Sequence, residues 1–510
     1  MADARPSFAI TPNRGLGWIY LGASLHAILT RLKSQPQLYP QIDLAYSASE
    51  PVLDPIVLNL QANGLRLRFD GPDQRLRLIE IVDFSKSSFS YKSLDLVRRT
   101  SSSSETATEP VPGPSFKHLY NRLFGPSYPG EYIAPNSGGS RGTYVLSWPG
   151  LAARFAIRHK SWSEKADFVS LLSSSAASSA TSLALFSGSS WPEVRASLYT
   201  KRPQLPRSLA LVGKLADSVP DEVEEVVIHG GGSLEMFRRT SLPFMINLNE
   251  TTPQDIVAEL GPPDAIFRKP GNGLSIHAGG ASSKARRPSR SPGLDPHLGD
   301  HEQSSTKSYT DESENDASNV EEAQDDETTL EAFYNYFHHG FDILVSTPQG
   351  TNSASVNSSA DFVVTKVFLH GNIPGSYPFN RHRRSRWRIA LDDNGQPLDL
   401  TSEMRFKEIS DILKDVWHSS YRDVEEENRM QRGMVLNRGW GVGDSPESSI
   451  ELLGGFEEGP PPAHQDSKGA GGEASMPDMS NTELFGFPGV LFEVLKNDII
   501  SCLTVYQHEA

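Results

Sequence analysis

Two apolar rhythms alternate along this chain. Between residues 23 and 33, Leu25, Ile28, Leu29 and Leu32 fall on one side of a 3.6-residue spiral, which predicts an amphipathic helix. Beyond it the period shortens to two. Leu65, Leu67 and Phe69 alternate with Arg66, Arg68 and Asp70 after Asn63-Gly64, a strong hairpin-turn dipeptide, and Leu76, Leu78 and Ile81 supply the next strand. A weaker copy reads as a helix at 116–124 stopped by Gly125-Pro126, then strands at 144–148 and 151–157. The clearest helix is 253–260. Thr252 is its N-cap, Pro253 lies in its first turn, Gly261-Pro262-Pro263 ends it, and Ile256, Val257 and Leu260 share one side. Phe341, Ile343 and Val345, then residues 362–370, supply its strands. A fourth copy places a helix at 446–453, closed by Gly454-Gly455, before strands at 490–496 and 499–506 joined by Asn497-Asp498.

The pattern predicts an α+β fold of about four related helix-plus-hairpin or meander units, packed together because no unit has an apolar face large enough to stand alone. Their spacing is too uneven for a fixed-period solenoid. The expected boundaries are a first unit at 1–84, a linker at 85–114, a second unit at 115–160 and a Ser/Ala-rich linker at 161–196. An added β-rich region follows at 197–250, with strands at 209–212, 223–229, 234–238 and 244–248. The third unit spans 251–391 with an insert at 270–329, residues 392–443 form a helical or linker insert, and the fourth unit spans 444–510 around a linker at 454–481. The inserts are expected to be disordered. Theirs is a composition of Ser, Pro, Gly and blocks of charge: basic at Lys284, Arg286, Arg287 and Arg290, acidic from Asp311 onward.

Composition narrows the function classes. Across 510 residues the net charge is −15, which opposes general adhesion to nucleic acid or anionic lipid, although a local basic patch can override it. The single cysteine, Cys502, forms neither an internal disulfide nor a cysteine-based zinc site, and this fits a cytoplasmic protein. No apolar run reaches membrane-spanning length, residues 1–11 carry no secretory leader, and Ala2 replaces the glycine that myristoylation requires.

Catalytic chemistry is hard to find. His229-Gly230-Gly231-Gly232 resembles the oxyanion loop of some esterases, a role that would need a nucleophile elbow beside it, and a glycine turn between strands is the alternative. Gly439-Trp440-Gly441-Val442-Gly443 lacks the spacing of a dinucleotide loop. Adjacent His338 and His339 are expected to point apart, which is poor metal geometry, so no catalytic residue, cofactor or metal site is assigned. One segment stands out. After Pro374-Gly375-Ser376-Tyr377-Pro378-Phe379-Asn380 come Arg381, His382, Arg383, Arg384, Arg386 and Arg388. Guanidinium groups make bidentate contacts to phosphate, so these residues are candidates for a headgroup or partner contact; a solvated turn feeding the strand at 387–391 is the other reading.

Several blocks together resemble the phagosome assembly factor family. They are Asn63-Gly64 through Phe69-Asp70; Phe124-Gly125-Pro126-Ser127-Tyr128-Pro129-Gly130; Tyr336; Gly340-Phe341-Asp342; and His370-Gly371-Asn372-Ile373-Pro374-Gly375. Residues 492–506 carry a last block. The blocks run in the family's order along nearly the whole chain, skipping the inserts, with a fungal-type pattern of long insertions. The resemblance implies a non-catalytic autophagy adaptor that pairs with a WD-repeat β-propeller protein. It also implies recruitment from the cytoplasm to phosphoinositide-bearing membranes at the phagophore assembly site, with lipid contact made through the complex. A factor in Golgi-to-plasma-membrane vesicle transport is the alternative, and a hydrolase using residues 229–232 a more distant one. The resemblance transfers no catalytic residues.

Overall fold

The computed structural model describes residues 6–97, 113–135, 139–200, 221–268, 331–346, 362–393, 396–418, 421, 423–437 and 481–508. The expected strand at 209–212, the insert at 270–329, the helix at 446–453, all of the linker at 454–481 but Asn481, and the glycines at 439–443 lie outside these residues.

Within the α+β class expected from sequence, one topology is used twice. The first half contains β1 (Ser7–Thr11), β2 (Gly15–Leu16), β3 (Ile19–Tyr20), β4 (Asp43–Ala45), β5 (Ile56–Leu60), β6 (Leu65–Phe69) and β7 (Leu76–Ile81). It continues with β8 (Ser88–Tyr91), β9 (Leu94–Asp95), β10 (Glu131–Ile133), β11 (Arg141–Trp148), β12 (Leu151–Arg158) and β13 (Ala177–Leu185). The second half begins with β14 (Val223–His229), β15 (Ser233–Arg238), β16 (Phe244–Asn247), β17 (Ala265–Arg268), β18 (Ala332–Tyr336), β19 (Phe341–Ser346) and β20 (Val363–His370). It closes with β21 (Trp387–Asp393), β22 (Gln396–Thr401), β23 (Met434–Asn437), β24 (Asn481–Phe487), β25 (Val490–Leu495) and β26 (Ile500–Tyr506).

Each half has a five-stranded sheet, in the order β3-β2-β1-β8-β9 and β16-β15-β14-β21-β22. Each also has an eight-stranded sheet, in the order β10-β11-β12-β13-β7-β6-β5-β4 and β23-β24-β25-β26-β20-β19-β18-β17. The small sheets are closed by parallel pairs, β1 with β8 and β14 with β21. The large sheets join two antiparallel meanders through their last strands, β7 with β13 and β20 with β26. Every strand of the first half therefore has a counterpart thirteen strands later.

Helices occupy matching places. The Leu25–Lys33 helix, capped by Ser24, buries Leu25, Ile28, Leu29 and Leu32 in the first core. Its counterpart, Pro253–Leu260, starts in a reciprocal capping box between Thr252 and Asp255 and buries Ile256 in the second core. A helical turn at Phe116–His118 running into Leu119–Leu123 matches Phe406–Val416, which buries Phe406, Ile409 and Leu413. Turn chemistry repeats too. Trp148-Pro149-Gly150-Leu151 joins β11 to β12, and Phe487-Pro488-Gly489-Val490 joins β24 to β25.

Four sequence expectations change. The Ser/Ala-rich stretch assigned to a linker at 161–196 contains β13, an interior strand of the large sheet; its small side chains give little local signal, but pairing on both sides buries Ala180, Leu183 and Leu185. The linker at 85–114 contributes β8 and β9. Residues 392–443, expected to be an insert, supply β22 and the Phe406–Val416 helix that serves the fourth unit. The β-rich region is no addition either: β14, β15 and β16 are the counterparts of β1, β2 and β3.

Candidate functional site

Along β19 and β20 the side chains alternate between the core and the opposite face. Phe341, Ile343 and Leu369 enter the core, so Asp342 and His370, one residue out of phase, face away from it. Residues 371–386, between β20 and β21, fold back over that face and deliver His382. Asp342 Oδ2 lies 2.9 Å from His370 Nε2, and Asp342 Oδ1 lies 2.9 Å from His382 Nε2. Asn335 Nδ2 donates to Asp342 Oδ1 at 2.8 Å from β18. The two imidazole rings stack with centroids 3.8 Å apart. Cys502 sits opposite His370 in the β20–β26 register.

Charge is tightly organised in this cluster. Burial acts to raise the Asp342 pKa, but the two histidines hold it far below the usual carboxylate range. Burial acts to lower His370, while Cys502 and Asp342 push it up to about 10. Burial, together with the charge on His370, brings His382 down to about 4. One carboxylate and two imidazoles, with ligand atoms all within 4.8 Å of one another, form a donor set able to hold a divalent metal ion.

The candidate arginines require correction. Arg383 is buried, donating from Nε to the His338 carbonyl at 2.9 Å and from Nη2 to the carbonyls of His339, at 2.8 Å, and Val223. Arg384 is buried as well. Its guanidinium donates to the carbonyls of Pro72 at 2.8 Å, Gly371 at 2.8 Å and Ser402 at 3.0 Å. Arg386 bridges Glu403, at 2.7 Å, and Asp73, at 2.9 Å. Arg388 pairs with Asp399 on the surface, Arg381 is exposed, and buried His382 belongs to the Asp342 cluster. These six residues do not line one surface: backbone carbonyls and carboxylates around the loop use the inner guanidinium groups, and Arg381 is exposed.

What the loop does is join the halves. Gln74 and Asn372 exchange hydrogen bonds, side-chain amide to backbone carbonyl at 2.8 Å and amide to amide at 2.7 Å. Arg75 pairs with Glu222, whose pKa burial would raise but Arg75, Arg383 and Arg239 hold down to about 2. Val52 packs with Ile373, Leu495 and Ile499 in a small apolar cluster across the same junction.

The remaining motif residues are mostly structural. Asn63 donates to the Leu38 carbonyl, Phe69 is in the core, and Asp70 pairs with Arg77. The Gly125 carbonyl accepts from Trp148, Gly130 donates to Tyr144, and the Tyr336 hydroxyl donates to the Gly261 carbonyl. Phe124 packs against Tyr91 and Trp148. Pro129 and Gly375 are exposed, and Pro374 is buried. Gly64 and Gly340 occupy equivalent turns with φ of +69° and +93°, and a Cβ would lie 2.2 Å from the Asp83 carbonyl oxygen and 2.5 Å from that of Arg383. His338 and His339 do not point apart: their ring centroids are 4.1 Å apart, with His338 bound to Asp264 and His339 accepting the Val223 N–H. Residues 230–232 form the turn between β14 and β15, and His229 faces Glu235 across that hairpin at 3.4 Å.

Sequence reasoning missed Arg75, Glu222, Asp73 and Glu403, and the meeting of Asp342, His370 and His382. The available signal was phase: Asp342 lies one residue out of step with Phe341 and Ile343 in an otherwise apolar stretch of β19.

The family model for phagosome assembly factor 1 matches residues 15–292 and 306–506. A PHAF1 protein of Arabidopsis thaliana is 26% identical over 98% of this chain and 93% of its own length. A PHAF1 protein of Drosophila melanogaster is 22% identical over the same shares of the two chains, 98% and 93%. A PHAF1 protein of Caenorhabditis elegans is 26% identical over 29% of this chain and 32% of its own. No solved structure matches the chain.

Proposed function

This chain belongs to the phagosome assembly factor 1 family, and we propose that it acts in autophagy as a non-catalytic adaptor for a WD-repeat β-propeller protein. The observation that carries this reading is the family match itself, which extends through both halves of the fold. Among the described residues no helix is long and apolar enough to cross a membrane. Arg384 and Arg386 of the 371–386 loop are committed to the junction. Recruitment of the chain to phosphoinositide-bearing membranes at the phagophore assembly site is therefore routed through the propeller complex. The chain's own contribution is a rigid double-layered scaffold whose two halves are held in one orientation.

The test is affinity purification of the tagged full chain from its native cells, fed and starved, with mass spectrometry of the bound proteins. A propeller protein recovered in comparable amount is the expected result. A chain that purifies alone in both conditions, or that turns over esterase or phosphatase substrates in broad profiling, overturns the adaptor reading. Tagged chain that stays on Golgi puncta regardless of starvation replaces the assembly site with a secretory one.

A further inference from the structure

We infer that Asp342, His370 and His382 bind one divalent transition-metal ion, zinc by the chemistry of the donors, and that the ion fastens the 371–386 loop over the second large sheet.

Geometry supplies the first argument. An ion of this class binds carboxylate oxygen and imidazole nitrogen at about 2.0–2.2 Å, which spaces tetrahedral ligands by roughly 3.4 Å. Here Asp342 Oδ2 stands 2.9 Å from His370 Nε2 and Asp342 Oδ1 stands 2.9 Å from His382 Nε2, and one ligand atom of each residue lies within 4.8 Å of the others. An ion among them replaces these hydrogen bonds, the short contacts widening by about half an ångström and the longer separation closing toward the same spacing. The supporting contact is one that metal sites use: Asn335 holds the carboxylate from β18, and buried Cys502 stands opposite His370 on β26.

The second argument comes from the duplication, since the first half shows what the topology requires without such a cluster. Asp342 stands opposite Asn335 in the β18–β19 register, and Arg66 stands opposite Asn59 in the β5–β6 register. Asp342 thus corresponds to Arg66, which hydrogen-bonds Asn59. The Gly340 carbonyl accepts the His370 N–H at 3.0 Å, and the Gly64 carbonyl accepts the Val82 N–H at 2.9 Å, so His370 corresponds to Val82, which is 39% exposed. Leu503 faces Leu369 and Leu183 faces Ile81, which places Ser182 where β26 has Cys502. Nor does the short connection at 82–87 between β7 and β8 match the longer 371–386 segment that brings in His382. The same sheet thus closes with Arg66, Val82 and Ser182. The ionisable cluster belongs to the second half alone, together with the loop that completes it, and that marks it as an added site.

The third argument is position. The loop that carries His382 also carries Arg384 and Arg386, which reach Pro72 and Asp73 in the first half. An ion held between β19, β20 and this loop would therefore stiffen the junction as well as the second half.

The experiment uses the purified full chain, stripped with a chelator, dialysed against zinc and assayed for bound metal. Affinity is measured by competition with a chromophoric chelator, and stability by thermal melting with and without zinc. One equivalent per chain is expected, together with a raised melting temperature. His382→Gln and Asp342→Asn should each lower affinity by more than the roughly 10–100-fold that outer-shell changes cost, and Asn335→Ala should fall within that range. His382→Gln is the decisive variant, because it keeps the loop neutral and of similar volume; circular dichroism checks that it is folded. Wild-type protein that takes up no zinc overturns the inference. So does an equivalent of zinc that His382→Gln binds as tightly, or a melting temperature that zinc leaves unchanged.

Discussion

Replacing Arg384 with methionine separates a buried clamp from a surface patch. The Arg384 side chain is 1% exposed, and its three donor groups satisfy the carbonyls of Pro72, Gly371 and Ser402, one in the first half and two in the second. Methionine fills most of the volume but donates nothing. Each carbonyl left without a partner in a buried place costs about 1–3 kcal/mol. Partial relaxation lowers the total, and the loss expected for breaking a buried charged network is about 3–5 kcal/mol. Arg388 is the control. Its ion pair with Asp399 spans 3.0 Å between side chains 31% and 45% exposed, and such pairs contribute only about 0.2–1 kcal/mol. The assay is thermal unfolding of both variants beside the parent chain, followed by tryptophan fluorescence. At about 2–4 °C per kcal/mol for a unit of this size, Arg384→Met should melt roughly 6–20 °C lower and Arg388→Met within about 4 °C. Arg384→Lys should recover less than half of the loss, since an ammonium cannot hold three carbonyls in the guanidinium plane. Equal shifts for the two methionine variants would refute the clamp and return the segment to a solvated turn.

Acid should weaken the protein in two stages. Burial lowers His339 to about 3 and His26 to about 4, so the unfolded chain binds protons on them before the native chain does, and stability falls as pH drops from about 6.5; His339→Gln should flatten that limb of a stability-against-pH curve. Glu222 is held at about 2 against an unfolded value of 4.5, so its contribution, about 2–4 kcal/mol, is present above pH 4.5 and lost toward pH 2; Glu222→Gln should remove this lower limb. Gly340→Ala should cost at least about 2 kcal/mol in chemical denaturation, because it adds a backbone clash to a left-handed turn. Gly125→Ala, at φ +85° with nothing within 4 Å of the new Cβ, should cost about 1 kcal/mol. Tyr128, 90% exposed within a family block, should act as an anchor for the partner: Tyr128→Ala should reduce recovery of the propeller protein at least about 5-fold with no change in melting temperature, and unchanged recovery removes it from the interface.

The fold was legible wherever one strand or helix announces itself by period. Leu25 to Leu32, the Thr252 cap and the alternation after Asn63-Gly64 all encode local structure, and each appears at or near its expected place. Repetition was legible as four related units, but their pairing into two copies was not, because the copies share geometry and few residues. Gly64 and Gly340 coincide, as do Asn59 and Asn335, but Arg66 answers Asp342 and Val82 answers His370. Strand β13 was hidden for a related reason: Ala and Ser carry little apolar signal, and only neighbours on both sides make them a strand. The segment at 381–388 stands out by composition, but composition does not show which way its side chains face. Sequence shows how many guanidinium groups are present, whereas carbonyl partners come from Pro72 and Val223, far away along the chain.

These partners explain why a duplicated scaffold would keep charge at its centre. Each half already buries its own apolar core, so joining them through more leucine would add stability but leave the angle between them loosely set. The junction instead combines a small apolar cluster around Val52 and Ile373 with groups that fit in only one way: the Gln74–Asn372 exchange, the Arg75–Glu222 pair and the three bonds of Arg384. A one-residue slip would leave several buried polar groups without partners at once, at about 1–3 kcal/mol each. Such a junction contributes less to stability than to a single relative orientation, a trade that suits a protein whose proposed work is to present fixed surfaces to a partner. The Asp342–His370–His382 cluster lies under the same loop, so anything that binds there acts on that orientation directly.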